Sequence, residues 1–149
     1  MTAPLLISFD VDRPADHAFN VWTSKLRTWW PRDHTVSGDP EEIVLERYPG
    51  GRIYEQTASG EHHEWGEVTT WEPPRRLSYL WHIGRDRRTA TEVEITFIDE
   101  GVARTRIEIA HSGWDKLGGE AEARRDQNRN GWDALVPHFV AAVGNERAD

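Results

Sequence analysis

Three kinds of side chain in this sequence have the means to do chemistry near neutral pH: its histidines, a carboxylate set among strand-like residues, and its arginine pairs. His111 closes the run "TRIEIAH", following Ile107 and Ile109 at alternate positions. In a strand these three residues share a face, so an imidazole ends an otherwise apolar surface just before Gly113-Trp114. Imidazole titrates near neutrality, which makes His111 the best single candidate to orient a ligand or exchange a proton with one. The plainer alternative is a core histidine satisfied by a backbone carbonyl or an indole edge, and on residue type alone it leads. Glu55, in "RIYEQT", is the second candidate. Beside His82 or His111 it would form an acid/base pair; paired with Arg52 or an arginine of a neighbouring strand it would be structural. Nothing in the sequence places these side chains together.

Other chemistries are excluded more firmly. There are no cysteines, so disulfides, thiolate ligands and thiol nucleophiles are ruled out. His62 and His63 are adjacent, and adjacent strand residues point to opposite faces, so the pair does not share an ion easily. No His-x-His or His-Glu-x-x-His spacing occurs, and neither a metal nor another cofactor is expected. "PGGR" lies between strands and opens no helix, so it is no phosphate loop. "HSGW" is not a nucleophile elbow. Eighteen basic against 26 acidic residues give a net charge of −8, which works against nucleic acid despite Arg75-Arg76 and Arg87-Arg88. The start "MTAPLLISFDVDRP" is no signal peptide, and no stretch approaches the ~20 apolar residues of a membrane span. A cytoplasmic chain of 149 residues forming one domain, 1–149, is expected.

The elements that must position these residues follow from periodicity. "PLLISFDV" reads as a strand, followed by a helix with Asp12 as N-cap, Pro14 in its first turn and Ala15, Ala18, Phe19, Trp22, Leu26 and Trp29 on one face. Pro31 stops it, and "RDHTVSGDPEE" is a polar loop. Six short strands come next, "IVLERY", "RIYEQTA", "HEWGEVTTWE", "RRLSYLWHI", "EVEITFID" and "VARTRIEIAH", joined by turns too short for parallel crossovers. The linker "GRDRRTAT" reads as a solvated turn. In the third of these six, alternation puts Trp65, Glu67, Thr69 and Trp71 on one face and Gly66, Val68 and Thr70 on the other; in the fourth, Leu77, Tyr79 and Trp81 oppose Ser78, Leu80 and His82. The tail is helical: Trp132, Leu135, Val136, Phe139, Val140 and Val143 form a stripe. Pro137 interrupts it at a cost of ~3 kcal/mol, less than the burial of six large side chains returns at roughly 1.5–3 kcal/mol each, so a kink near Asp133 is expected and not a stop. Strands followed by a helix give an α+β class. Eight tryptophans at this length suggest a core with some rings half-buried, or a lined cavity.

The segments "LRTWWPRDHTVSG", "YPGGRIYEQT", "EWGEVTTWEPPRRLSYLW", "TEVEITF" and "HSGW", in this order and spacing, resemble the SRPBCC (START/birch-pollen-allergen-like) superfamily. Within it they are similar to the branch named for the activator of the ninety-kilodalton heat-shock protein ATPase. The resemblance spans nearly the whole chain, and "WGEVTTWEPPRRLSYLW" is its most specific part. It implies a helix-grip fold, a curved antiparallel sheet of about six to seven strands around a long C-terminal helix, with a cavity between them. Relatives hold lipids, sterols, polyketides or other apolar molecules there, and some catalyse cyclisation or hydrolysis. The cavity so implied would draw on Trp30, Glu55, Trp65, Trp71, Tyr79, Trp81, His82, His111, Trp132 and Phe139. A small apolar or aromatic partner is the leading expectation, with an acid/base enzyme using the same cavity and a chaperone-interaction module as alternatives. Trp29 and Trp30 would sit near the cavity mouth; with helical neighbours about 100° apart, one ring would face outward and offer a homodimer contact.

Overall fold

Apolar side chains at every second position make a strand two-faced, and pairing such strands buries one face of the whole sheet. The computed structural model describes residues 2–145. Its seven strands are β1 (Leu5–Val11), β2 (Glu42–Leu45), β3 (Arg52–Gln56), β4 (His62–Glu72), β5 (Arg76–Trp81), β6 (Thr91–Asp99) and β7 (Thr105–Ser112). They form one curved antiparallel sheet in the order β1-β7-β6-β5-β4-β3-β2. β2 to β7 meander, and β1 returns beside β7 with Leu5 opposite His111 and Val11 opposite Thr105. Helices α1 (Ala15–Ser24), α2 (Leu26–Trp29) and α3 (Ala121–Asn145) cover the sheet, with α3 lying against α1, α2 and β1. This is the α+β helix-grip architecture.

Where alternation is clean the expected faces hold. Val93, Ile95 and Phe97 of β6 and Ile107, Ile109 and His111 of β7 are all buried. β4 departs from the expectation. Residues directly opposite in an antiparallel pair share a face. Gly66, Val68 and Trp71 lie opposite Trp81, Tyr79 and Leu77, so these three point inward together and Thr69 is an extra residue. A second irregularity, between Ile53–Gly66 and Tyr54–Glu64, leaves Trp65 as another extra residue, fully buried. Each bulge resets the alternation, which is why Val68 turns inward with the tryptophans and not away from them.

The helices also differ in detail. Pro14, extended at ψ 156°, is the N-cap of α1; no side chain caps it, so Asp12 does not play that part. Lys25 breaks the segment between α1 and α2. Trp30 leaves α2 in extended conformation at ψ 125°, so the 100° offset between neighbours does not apply, and Trp29 and Trp30 are both buried. The outward ring on which a dimer contact was expected is therefore absent. α3 starts at Ala121 and continues through Pro137. Trp132, Leu135, Phe139 and Val143 are buried, whereas Val140 is exposed, so the stripe is narrower than six residues.

A cleft at the end of the helix grip

The space between sheet and helix is largely filled by rings. The Trp22 ring lies 4.7 Å from that of Phe139, 5.1 Å from Trp29 and 6.1 Å from Trp132. Contacts through Phe19, Phe97 and His111 join all eight tryptophans into one network. The indole N–H groups of Trp29, Trp30, Trp65, Trp114 and Trp132 each find an acceptor, which removes the polar cost of burying them.

Open space remains at one end. A cleft of about 1030 Å³ lies between residues 30–35, the β5–β6 connection and the first half of α3. Trp30, Trp81, Trp132 and Leu135 give it an apolar floor, and the Trp30 and Trp81 rings sit 5.7 Å apart. Asp33, His34, Arg85, Asp86, Arg124 and Asn128 form a polar rim. Trp30 donates its indole N–H to the His34 carbonyl at 3.0 Å, which ties floor to rim. His34 Nδ1 lies 2.8 Å from Asp33 Oδ1, and that contact holds the Asp33 carboxyl below its ordinary value. The size suits a small organic molecule.

His111 lies behind this floor. Its ring is fully buried, and Nδ1 accepts the Trp132 indole N–H at 3.1 Å. Nδ1 is therefore unprotonated, and Nε2–H donates to Thr91 Oγ1 at 2.7 Å. The Thr91 hydroxyl passes its own proton toward the Trp81 carbonyl at 3.3 Å. Burial brings the His111 pKa down to about 3. The imidazole is neutral and both nitrogens are engaged, so it orients Trp132 and leaves no site for proton exchange with a ligand.

Glu55 is likewise fully buried, and its carboxylate bonds to neither His82 nor His111. Oε1 accepts from Val36 N–H at 2.6 Å and from Trp65 Nε1–H at 2.8 Å; Oε2 accepts from Ser37 N–H at 3.0 Å and Ser37 Oγ–H at 2.6 Å. Burial alone would raise the carboxyl pKa, but the Ser37 hydroxyl and the three N–H donors outweigh it and hold the value below ordinary. Glu55 is an anionic clamp fastening residues 36–37, and with them the wall at 33–35, to the sheet.

His82 is buried at the end of β5. Its backbone N–H donates to the Trp65 carbonyl at 2.7 Å, and its Nε2 lies 3.1 Å from the Glu64 carboxylate. His62 stacks on Tyr54 at 4.6 Å while His63 pairs with Glu61 at 2.7 Å, on separate partners. Among the described residues no group of three or more His, Asp or Glu is arranged to hold a metal ion, and no helix is long and apolar enough to cross a membrane.

Residues 12–144 match the family described as Activator of Hsp90 ATPase homolog 1-like protein. The chain belongs to this family. No functionally curated sequence matches this Activator of Hsp90 ATPase homolog 1-like chain. Among solved structures it is similar to Txn09, an anthrahydroquino-gamma-pyrone synthase, at 32% identity over 82% of this chain and 84% of that one, with a TM-score of 0.59. It is also similar to CalC, a self-sacrificing resistance protein from Micromonospora echinospora, at 24% identity over 99% and 97% of the two chains, with a TM-score of 0.75. PFC0360w, an HSP90 activator from Plasmodium falciparum, matches at 16% identity over 96% and 97%, with a TM-score of 0.71. The last two likenesses concern the fold alone.

Of the ten candidate residues, the structure brings Trp30, Trp81, His82 and Trp132 to the cleft. Trp65, Tyr79, Phe139, His111 and Glu55 are buried in the packed interior behind it, and Trp71 packs against Phe19 at 5.2 Å. Sequence reasoning missed Asp33, His34, Arg85, Asp86, Arg124 and Asn128. Asp33 and His34 lie in a stretch read as polar loop, Arg85 and Asp86 in one read as a solvated turn, and Arg124 and Asn128 upstream of the helical stripe that starts at Trp132. A usable signal was present: "WPRDH" and "WHIGRD" each place a tryptophan directly before a polar loop carrying histidine, arginine and aspartate.

Proposed function

We propose that this chain binds a small aromatic molecule in the cleft at the end of the grip. The observation that carries the reading is an indole floor, Trp30 with Trp81, bounded by Trp132 and ringed by polar side chains in a space of about 1030 Å³. Flat rings gain from offset or edge contacts with indoles, about 0.5–1.5 kcal/mol per pair beyond the area they bury. The likeness to a synthase named for an anthrahydroquino-gamma-pyrone supports an aromatic ligand. The test is a titration with naphthalene- and anthraquinone-class compounds followed by tryptophan emission. Saturable quenching is expected, weakened about tenfold in Trp81→Ala, in line with the loss of one or two such ring contacts. Absence of saturable quenching by every such compound refutes the reading.

The same likeness favours a second reading, an enzyme acting on the bound ring system. The pair placed for proton transfer at the cleft is then His34 with Asp33, not His111 or Glu55, whose bonds are all used internally. On that reading His34→Ala abolishes turnover while quenching titrations stay intact; equal turnover in the variant refutes it.

A further inference from the structure

Every charged side chain of the cleft rim but one already has a partner. Asp33 is bound to His34, Asp86 to Arg88, and Arg124 to Gln127 and Glu120. Arg85 makes no side-chain hydrogen bond or ion pair among the described residues, and its Nε–H is shielded from solvent without an acceptor. Three residues back, His82 has the complementary deficit. A carboxylate only accepts, so the His82 nitrogen facing Glu64 carries a proton, and in the neutral ring Nδ1 is a bare acceptor. That atom is also buried and without a donor.

One tight turn holds the two residues together. Arg85 N–H donates to the His82 carbonyl at 2.7 Å, and Gly84 takes the left-handed conformation at φ 68° that the turn requires. The turn is anchored to the sheet by the His82 N–H bond to Trp65. A native fold rarely leaves one buried polar atom unsatisfied, and here a donor and an acceptor are left within one turn whose residues line the cleft.

We infer that the His82–Arg85 turn is a recognition subsite for an oxygen-bearing edge of the aromatic ligand. Arg85 donates to a carbonyl, carboxylate or phenolate oxygen, and His82 Nδ1 accepts from a hydroxyl. This rests on the cleft reading above and adds a ligand class to it: an aromatic acid, or a hydroxylated aromatic carbonyl compound, in preference to a plain hydrocarbon. A hydrogen bond to a charged group in a shielded site is strong enough to make the preference about tenfold or more.

The test compares naphthalene, 2-naphthoate and 2-naphthol by tryptophan quenching with the full chain. The wild type should bind both oxygenated probes at least about tenfold more tightly than naphthalene. Arg85→Leu should cut the preference for 2-naphthoate over naphthalene from about tenfold or more to about one, whatever it does to naphthalene itself. His82→Leu should do the same for the preference for 2-naphthol; if that variant fails to fold by circular dichroism, the Arg85 arm decides alone, since the Arg85 side chain makes no bond that the substitution removes and its backbone bond to His82 is kept. Equal binding of the three probes by the wild type overturns the subsite and leaves the aromatic cleft standing. So does an Arg85→Leu variant that loses naphthalene and 2-naphthoate in equal measure. No binding of any probe overturns both.

Discussion

Glu55→Gln removes one negative charge and almost no volume, so its effect isolates what the carboxylate does. The two oxygens together take four hydrogen bonds, two on each. A glutamine keeps one oxygen. It can retain Val36 N–H and Trp65 Nε1–H on that oxygen and turn its amide toward Ser37, whose hydroxyl rotates to accept. The Ser37 N–H is then left facing a donor, and the remaining bonds lose their charge assistance. A buried donor without a partner costs about 1–3 kcal/mol, and charged hydrogen bonds exceed neutral ones by a comparable amount, so a loss of about 2–4 kcal/mol is expected. For a chain of this size that is a fall in Tm of roughly 6–12 °C. The pH dependence gives a sharper check. The folded-state pKa of Glu55 lies below its ordinary value of 4.5, so the stabilisation is complete above that value and is lost as the pH falls through the folded value. Urea melts of wild type and Glu55→Gln between pH 7 and 3 should therefore converge at the acid end. A difference under about 0.5 kcal/mol at pH 7, or one that does not narrow on acidification, refutes the clamp. Because residues 36–37 follow the cleft wall at 33–35, the variant should also weaken naphthalene binding.

His111 has its folded pKa lowered to about 3 from 6.5, so it favours the folded state above 6.5 and that contribution drains away at up to about 1.4 kcal/mol per pH unit as the pH falls between the two values. His111→Gln should flatten this part of the stability profile, and NMR of the wild-type ring should show a neutral Nε2–H tautomer throughout pH 5–8; a midpoint near 6.5 would contradict the geometry. Gly66→Ala would set a Cβ 2.0 Å from the Leu80 carbonyl oxygen on the neighbouring strand, so a loss of about 3 kcal/mol or more is expected in denaturant melts. A near-neutral Gly66→Ala would show that β4 and β5 can separate without cost.

The legible parts of this molecule are those in which a single segment carries its own pattern. β6 and β7 alternate without interruption, and Val93, Ile95, Phe97, Ile107, Ile109 and His111 face inward as their spacing says. The C-terminal stripe announces α3 even across Pro137, because four buried anchors outweigh one missing backbone bond. β4 resisted the same logic, since nothing in "HEWGEVTTWE" marks where a residue is doubled opposite its partner strand. The cleft resisted it for a different reason. Its three walls come from residues 30–35, 81–91 and 124–135; a tryptophan before a polar loop marks the first two singly, but only the fold sets the three face to face. The neutral state of His111 has the same origin: Thr91 and Trp132, which decide it, lie 20 and 21 residues away along the chain.

The return of β1 to the far end of the meander carries a consequence for how the chain is made. Residues 5–11 find their partners at 105–111, so the first of the seven strands to be synthesised waits for the seventh. Six strands can zip up through local hairpins while β1 has only solvent or α1 for company. Closing so long a loop is entropically slow, and topologies ruled by distant pairings fold slowly at equal stability. A nascent chain arrested before residue 105 presents β1 as an unpaired ribbon, and unpaired strand edges invite wrong partners. Helix α3, which follows β7 in the chain, docks on a wall whose final strand has only just been set in place.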